Sequence, residues 1–142
     1  MKFAHFAVAA ALGALAFAAA PVEHAAAYQV QTSSLSGQWT GIYAGGGNEP
    51  TSFEGLFAQA GANISGSMFE YNGFGDTAAA AYLTSTISGT VQGDLVRFTK
   101  TYDGTGGVSH AVHYEGRLVS NGRRIRGTWN ADGASGGFEM VR

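Results

Sequence analysis

Ile125-Arg126-Gly127-Thr128-Trp129 places an apolar residue, a glycine and a second apolar residue at alternate positions, and the chain repeats this pattern six times. The other five copies are Leu35-Ser36-Gly37-Gln38-Trp39, Phe53-Glu54-Gly55-Leu56-Phe57, Ile64-Ser65-Gly66-Ser67-Met68, Ile87-Ser88-Gly89-Thr90-Val91 and Tyr114-Glu115-Gly116-Arg117-Leu118. On an extended strand the first, third and fifth residues share one face. Glycine therefore falls in the middle of the apolar face each time. A glycine inside a strand weakens it and marks a bend, a bulge or a close approach. Six on one face imply a strongly coiled sheet whose concave side takes bulky neighbours, as closing a small barrel requires.

Working outward from these copies, period-2 segments run from Leu35 to the C-terminus, and no stretch holds a helical apolar period. The strands predicted are about 36 to 44, 53 to 60, 63 to 71, 82 to 92, 95 to 102, 110 to 120, 123 to 130 and 136 to 142. Ala78 to Ala81 form a run too short to hold a helix alone. Three connections are tight: Ala60-Gly61-Ala62, Gln92-Gly93-Asp94 and Asn121-Gly122, the last a strong hairpin signal. The four alternating connections, 45 to 52, 72 to 81, 103 to 109 and 130 to 135, are predicted to be longer. In an antiparallel meander the two classes fall at opposite ends. The expectation is an all-β, up-and-down antiparallel eight-stranded barrel, closed by short turns at one end and ringed by glycine-rich loops at its mouth.

Composition narrows the function classes. The chain has 142 residues, 22 glycines, two prolines and no cysteine. That length fits one domain. Without cysteine there is no disulfide, thiolate metal site or cysteine nucleophile. Aromatics at 12% exclude collagen, and an apolar content of 45% excludes a disordered tract. A net charge of −2 gives no bulk attraction to nucleic acid or to a membrane surface.

Lys2 followed by the apolar run Phe6 to Ala20 has the length of a signal-peptide core rather than of a membrane span. Ala25, Ala26 and Ala27 supply small residues for cleavage. The division expected is a signal peptide over 1–27, an N-terminal extension over 28–34 and one barrel domain over 35–142. The mature chain is thus expected to be exported, periplasmic or secreted, with no stable membrane insertion.

The Gly37-Gln38-Trp39 motif on the first strand, with Arg142 arriving at the same closed end, resembles the calycin group of lipocalin-like and avidin-like eight-stranded barrels. The resemblance implies a closed-end contact between Trp39 and Arg142, and a lumen that takes a small ligand. The chain departs from the group in lacking the lipocalin disulfide and C-terminal helix, and in having too few tryptophans for an avidin biotin pocket.

Alternation points Tyr43, Phe53, Glu70, Leu83, Lys100, Tyr102, His110, Val112 and Trp129 inward near the mouth. Aromatics with a few polar groups suit a small-molecule pocket, so Tyr43, Phe53, Glu70, Lys100, Tyr102, His110 and Trp129 are the candidate ligand-binding residues. Glu70 and Lys100 either satisfy each other, orient a ligand or reach water through the mouth. His110 and His113, three apart on a strand, point to opposite faces and do not make a zinc pair. No Gly-x-Ser-x-Gly element is present. Glu49, Asp76, Asp103 and Asp132 fall in the long connections, where they read as solubilising loop residues rather than as a calcium site. The mouth loops carry no lysine or arginine, whereas Arg97, Arg123, Arg124 and Arg142 fall toward the closed end, so an anionic ligand is disfavoured.

The function expected is therefore a non-enzymatic exported protein that holds a small, largely apolar, neutral or cationic ligand in the barrel mouth. Neither a metal, nor a cofactor, nor a catalytic residue is predicted. The alternative is a barrel whose lumen is filled by its own side chains and which engages a protein partner, as an exported protease inhibitor would, through outward apolar residues such as Ile42, Phe69 and Val141. A weaker option is acid or base chemistry by Glu70, Tyr102 or His110.

Overall fold

The computed structural model describes residues 34–142. The predicted leader and all of the extension except Ser34 lie outside that range. Among the described residues, no helix is long and apolar enough to cross a membrane. Eight strands follow in order: β1 (Gly37–Gly45), β2 (Asn48–Ala60), β3 (Asn63–Tyr71), β4 (Tyr82–Gln92), β5 (Leu95–Tyr102), β6 (Ala111–Val119), β7 (Arg124–Ala131) and β8 (Ala134–Val141). Each pairs antiparallel with its sequence neighbours, and β1 pairs with β8 to close the barrel. A short 3-10 turn, Thr105–Gly107, lies in the connection before β6.

Two of the four mouth connections are shorter than the sequence reading held. β1 and β2 are joined by Gly46-Gly47, and β7 and β8 by Asp132-Gly133, each with both residues at positive φ. This is the conformation that two-residue hairpins require, because its twist matches that of the flanking strands. Asp-Gly is a strong signal for it. β2 consequently starts at Asn48 rather than at 53, and the register slips by one residue between Tyr43 and Gly45. That irregularity accommodates Pro50, which has no N–H to give to a ladder. The other boundaries move by two residues or fewer.

The inward glycines act largely through close approach. A Cβ on Gly89 would stand 2.1 Å from the Arg97 carbonyl oxygen, and one on Gly127 would stand 1.9 Å from that of Glu115. Neighbouring strands cross so tightly there that no side chain fits. Large rings lie directly across from glycines: Trp39 opposite Gly55, Phe53 opposite Gly41, Phe57 opposite Gly66, Phe98 opposite Gly89, Phe138 opposite Gly127 and Trp129 opposite Gly136. Such aromatic cover of strand glycines pins register in curved sheets. Gly37 departs from the pattern, since it is exposed and nothing lies within 4 Å of its would-be Cβ. It lies at the start of β1, where the barrel wall ends.

The lower lumen is filled. Leu35, Trp39, Ile125 and Met140 are fully buried, and Phe98 stacks on Tyr114 with ring centroids 4.7 Å apart. Trp39 donates its indole N–H to the Leu35 carbonyl at 2.9 Å, and the Arg142 guanidinium lies 4.8 Å over its ring. Arg142 also donates to the Ser34 carbonyl. This is the closed-end contact that the calycin resemblance implies.

Candidate functional site

Above that packed layer, β3 and β5 carry Glu70 and Lys100 into the lumen, because the even-numbered residues of both strands face inward. Neither reaches water: their side chains are each about 1% exposed. The lysine ammonium donates to Glu70 Oε2 at 2.7 Å and to the Tyr102 hydroxyl at 2.8 Å. Tyr102 in turn donates to Glu70 Oε1, and Tyr43 donates to the same oxygen at 3.4 Å. Of the three readings the sequence left open, the pair satisfies itself, and solvation through the mouth is ruled out. The ammonium also lies 4.3 Å from the Tyr102 ring centroid and 5.4 Å from that of Tyr43.

Burial governs the proton affinities in this cluster. Desolvation pushes the Tyr43 hydroxyl up to about 12, with the Glu70 carboxylate adding to the rise. The same two causes push Tyr102 far above the ordinary phenol range and Tyr114 upward as well. Desolvation pulls Lys100 below the usual ammonium range, against the opposing pull of Glu70. A buried pair of this kind survives only with its remaining hydrogen-bonding capacity met. The two phenols meet part of it.

Tyr43 and Tyr102 also line a cavity of about 270 Å³ at the mouth, with Tyr114, Val112, Trp129, Phe74, His110, Ala131, Asp132 and Ala134. Four predicted ligand-binding residues, Tyr43, Tyr102, His110 and Trp129, come together there. Phe53, Glu70 and Lys100 do not line it. Phe53 instead stacks beside Tyr43 and covers the gap at Gly41. Trp129 is fixed by its indole N–H on the Ala44 carbonyl at 3.1 Å and by an edge contact with the Tyr43 ring.

Phe74, Asp132, Ala131, Ala134 and Tyr114 were not among the predicted ligand-binding residues. Asp132-Gly133 could have found three of them, because that hairpin places Ala131 and Ala134 opposite each other at the rim. Nothing in strand alternation could have found Phe74, which sits in the loop over 72–81. Its ring lies 5.9 Å from that of Tyr102 and 6.1 Å from that of His110. Buried Asn72 holds this loop by donating to the Asp76 and Ala80 carbonyls and accepting from the Gly75 N–H. The Asp76 N–H donates to the Gly106 carbonyl and joins the two long loops. Two of the loop acids thus shape the mouth. Asp76 accepts from the Ala78 and Ala79 N–H groups, and Asp103 accepts from Thr84 and Thr105, whose hydroxyls hold its carboxyl down at about 2.

A second depression, of about 490 Å³, crosses the outer wall between β8 and β4. Ile42, Phe69 and Val141 line it together with Tyr71 and Tyr82. Phe69, Tyr71 and Tyr82 are all exposed and meet edge to face. The facing positions of β6 and β7 are instead charged, with Glu115, Arg117, Arg124 and Arg126 engaged in surface ion pairs.

Neither a protein-family profile nor a curated protein matches the chain. Among solved structures it is similar to two redesigned β-barrels. One is 14% identical over 76% of this chain and 90% of its own, with a TM-score of 0.62. The other, mFAP1 bound to DFHBI, is 12% identical over 76% of this chain and 94% of its own, with a TM-score of 0.61. At these identities the likeness establishes a shared fold, the closed eight-stranded antiparallel meander.

Proposed function

We propose that the chain is an exported, non-enzymatic binding protein that holds a small, flat, largely apolar molecule, neutral or cationic, in the mouth cavity. The observation that carries this reading is the cavity itself: about 270 Å³, walled by Tyr43, Tyr102, Tyr114, Trp129 and Phe74. Small-molecule pockets usually span about 300–1,000 Å³, so a ligand of one or two fused rings is the matching size. Asp132 is the charged residue of the lining, and the nearby ammonium of Lys100 is already neutralised by Glu70. Both features disfavour an anion. The bound DFHBI of mFAP1 supports the reading, since it is a small molecule held by a barrel of this fold. Against acid or base turnover, Glu70 and Tyr102 are engaged with each other and with Lys100. Export rests on the leader pattern in residues 1–27.

The test is equilibrium dialysis with three probes that share one ring system: 2-naphthylmethanol, 2-naphthylmethylamine and 2-naphthoate. The alcohol and the ammonium are expected to bind, and the carboxylate to bind at least about tenfold more weakly. Ala134→Trp, which fills the cavity, is expected to abolish binding. Failure of all three probes, or unchanged binding in the filled variant, overturns the reading.

The alternative of a protein-binding barrel is favoured by one observation, the exposed Phe69, Tyr71 and Tyr82 beside the outer depression. Native mass spectrometry of protein purified from its source separates the two readings, because a retained small molecule and a retained subunit give different masses.

A further inference from the structure

Three side-chain donors in the lining of the mouth cavity are already given to the protein itself. The Tyr43 and Tyr102 hydroxyls both donate to Glu70 Oε1, and the Trp129 indole N–H donates to the Ala44 carbonyl at 3.1 Å. What these residues still offer a ligand is the face of their rings, which carries partial negative charge. Nor are the rings stacked into a slot. Tyr43 meets Trp129 at 75° and Phe74 meets Tyr102 at 81°, with centroids 5.9 Å apart in each pair. Walls at such angles form corners, and a corner gives a rounded group contact on two sides.

Charge at this end of the barrel has one sign. Residues 45–52, 72–81, 103–109 and 130–135 hold Glu49, Asp76, Asp103 and Asp132 and neither lysine nor arginine. Asp132 is the acidic residue of the cavity lining itself. Lys100 does not line the cavity, and Glu70 cancels its charge at 2.7 Å. Its ammonium, 4.3 Å from the Tyr102 ring centroid and 5.4 Å from that of Tyr43, shows that these rings accept a cation beside them.

We infer that the mouth cavity receives a quaternary ammonium group, held against the rings of Tyr43, Tyr102, Trp129 and Phe74 with Asp132 as its counter-charge. The inference rests on the cavity reading above and narrows its ligand from neutral or cationic to cationic. A quaternary ammonium has no N–H to satisfy, so it needs no hydrogen-bond acceptor from a lining made mostly of rings. Its charge is spread over methyl groups, which meet aromatic faces directly, and the attraction grows once water is excluded. The acidic rim draws such a cation toward the mouth.

The test compares phenyltrimethylammonium with tert-butylbenzene, which has the same shape with carbon in place of the charged nitrogen, by equilibrium dialysis against the full-length chain. His110 is the lining residue that can gain a positive charge, so the buffer is held at about pH 8, where an imidazole is ordinarily neutral. The ammonium is expected to bind at least about tenfold more tightly than its carbon isostere. Asp132→Asn keeps the turn, since Asn-Gly suits the same hairpin as Asp-Gly, and is expected to weaken the ammonium about threefold while leaving tert-butylbenzene unchanged. Phe74→Leu, at an exposed loop position, is expected to narrow the gap between the two probes by removing a ring. Equal binding of the probes, or tighter binding of tert-butylbenzene, overturns the inference and leaves the cavity reading intact. An ammonium advantage untouched by both variants overturns it as well, because the charge is then met elsewhere. If neither probe binds, the inference falls, and the cavity reading falls with it only where 2-naphthylmethanol also fails to bind.

Discussion

The lumen has two levels built on opposite principles. Toward the closed end Leu35, Trp39, Ile125 and Met140 are fully buried in the core, and the polar atom of Trp39 is met by a backbone carbonyl. Toward the mouth β1, β3 and β5 bring in a carboxylate, an ammonium and two phenols, and a cavity of about 270 Å³ lies above them. Close packing and apolar burial stabilise the first level. The second gives up both, since buried charge is costly to desolvate and open space forfeits contacts. A barrel shaped by stability alone would be filled to the top, and the proposed ligand site occupies the level that is not.

The sharpest way to break this comparison is Trp39→Ala. It is expected to cost about 3–5 kcal/mol by emptying the closed end, measured by chemical denaturation. A loss below about 1 kcal/mol would show that the lower level does not carry the fold. The upper level answers differently to single and paired changes. Lys100→Met alone strands the Glu70 carboxylate in the lumen and is expected to cost about 3 kcal/mol. Lys100→Met combined with Glu70→Leu is expected to recover most of that loss. A double variant as unstable as the single one would mean that the pair is a stabilising element in its own right.

The smallest effect is the one that Tyr43→Phe has on the pH profile of stability. Tyr43, Tyr102 and Tyr114 keep their protons in the fold beyond the ordinary phenol value of 10. Above pH 10 the unfolded chain therefore binds fewer protons than the folded one, and stability falls as pH rises. Each of the three contributes about 1.4 kcal/mol per pH unit until its folded value is passed. Denaturation midpoints measured from pH 9 upward should decline, and more gently in Tyr43→Phe. A flat profile would contradict the burial of these hydroxyls.

Much of the fold was legible in the chain because its strongest constraint is local. Six copies of one alternating pattern fix which side of each strand faces inward, and every inward residue named near the mouth does face the lumen. The two short mouth hairpins were less legible: Gly46-Gly47 and Asp132-Gly133 sit inside glycine-rich stretches that read equally well as long loops. The site was legible in part. Tyr43, Tyr102, His110 and Trp129 line the cavity, whereas Phe53, Glu70 and Lys100 lie behind or beside it. Alternation gives a side and says nothing of height along the barrel axis.

By itself the sequence determined the strand order, the facing of each strand, the absence of disulfides and thiolate sites, and the segregation of arginine toward one end. These follow from period, composition and position along the chain, which need no distant partner. Only the tertiary structure decided that Glu70 and Lys100, 30 residues apart, close on each other rather than on water. It likewise decided that Phe74 turns over the mouth and that the lumen is filled below and open above. Those outcomes depend on the stagger between strands and on ring packing across the barrel, quantities set jointly by all eight strands and carried by none of them alone.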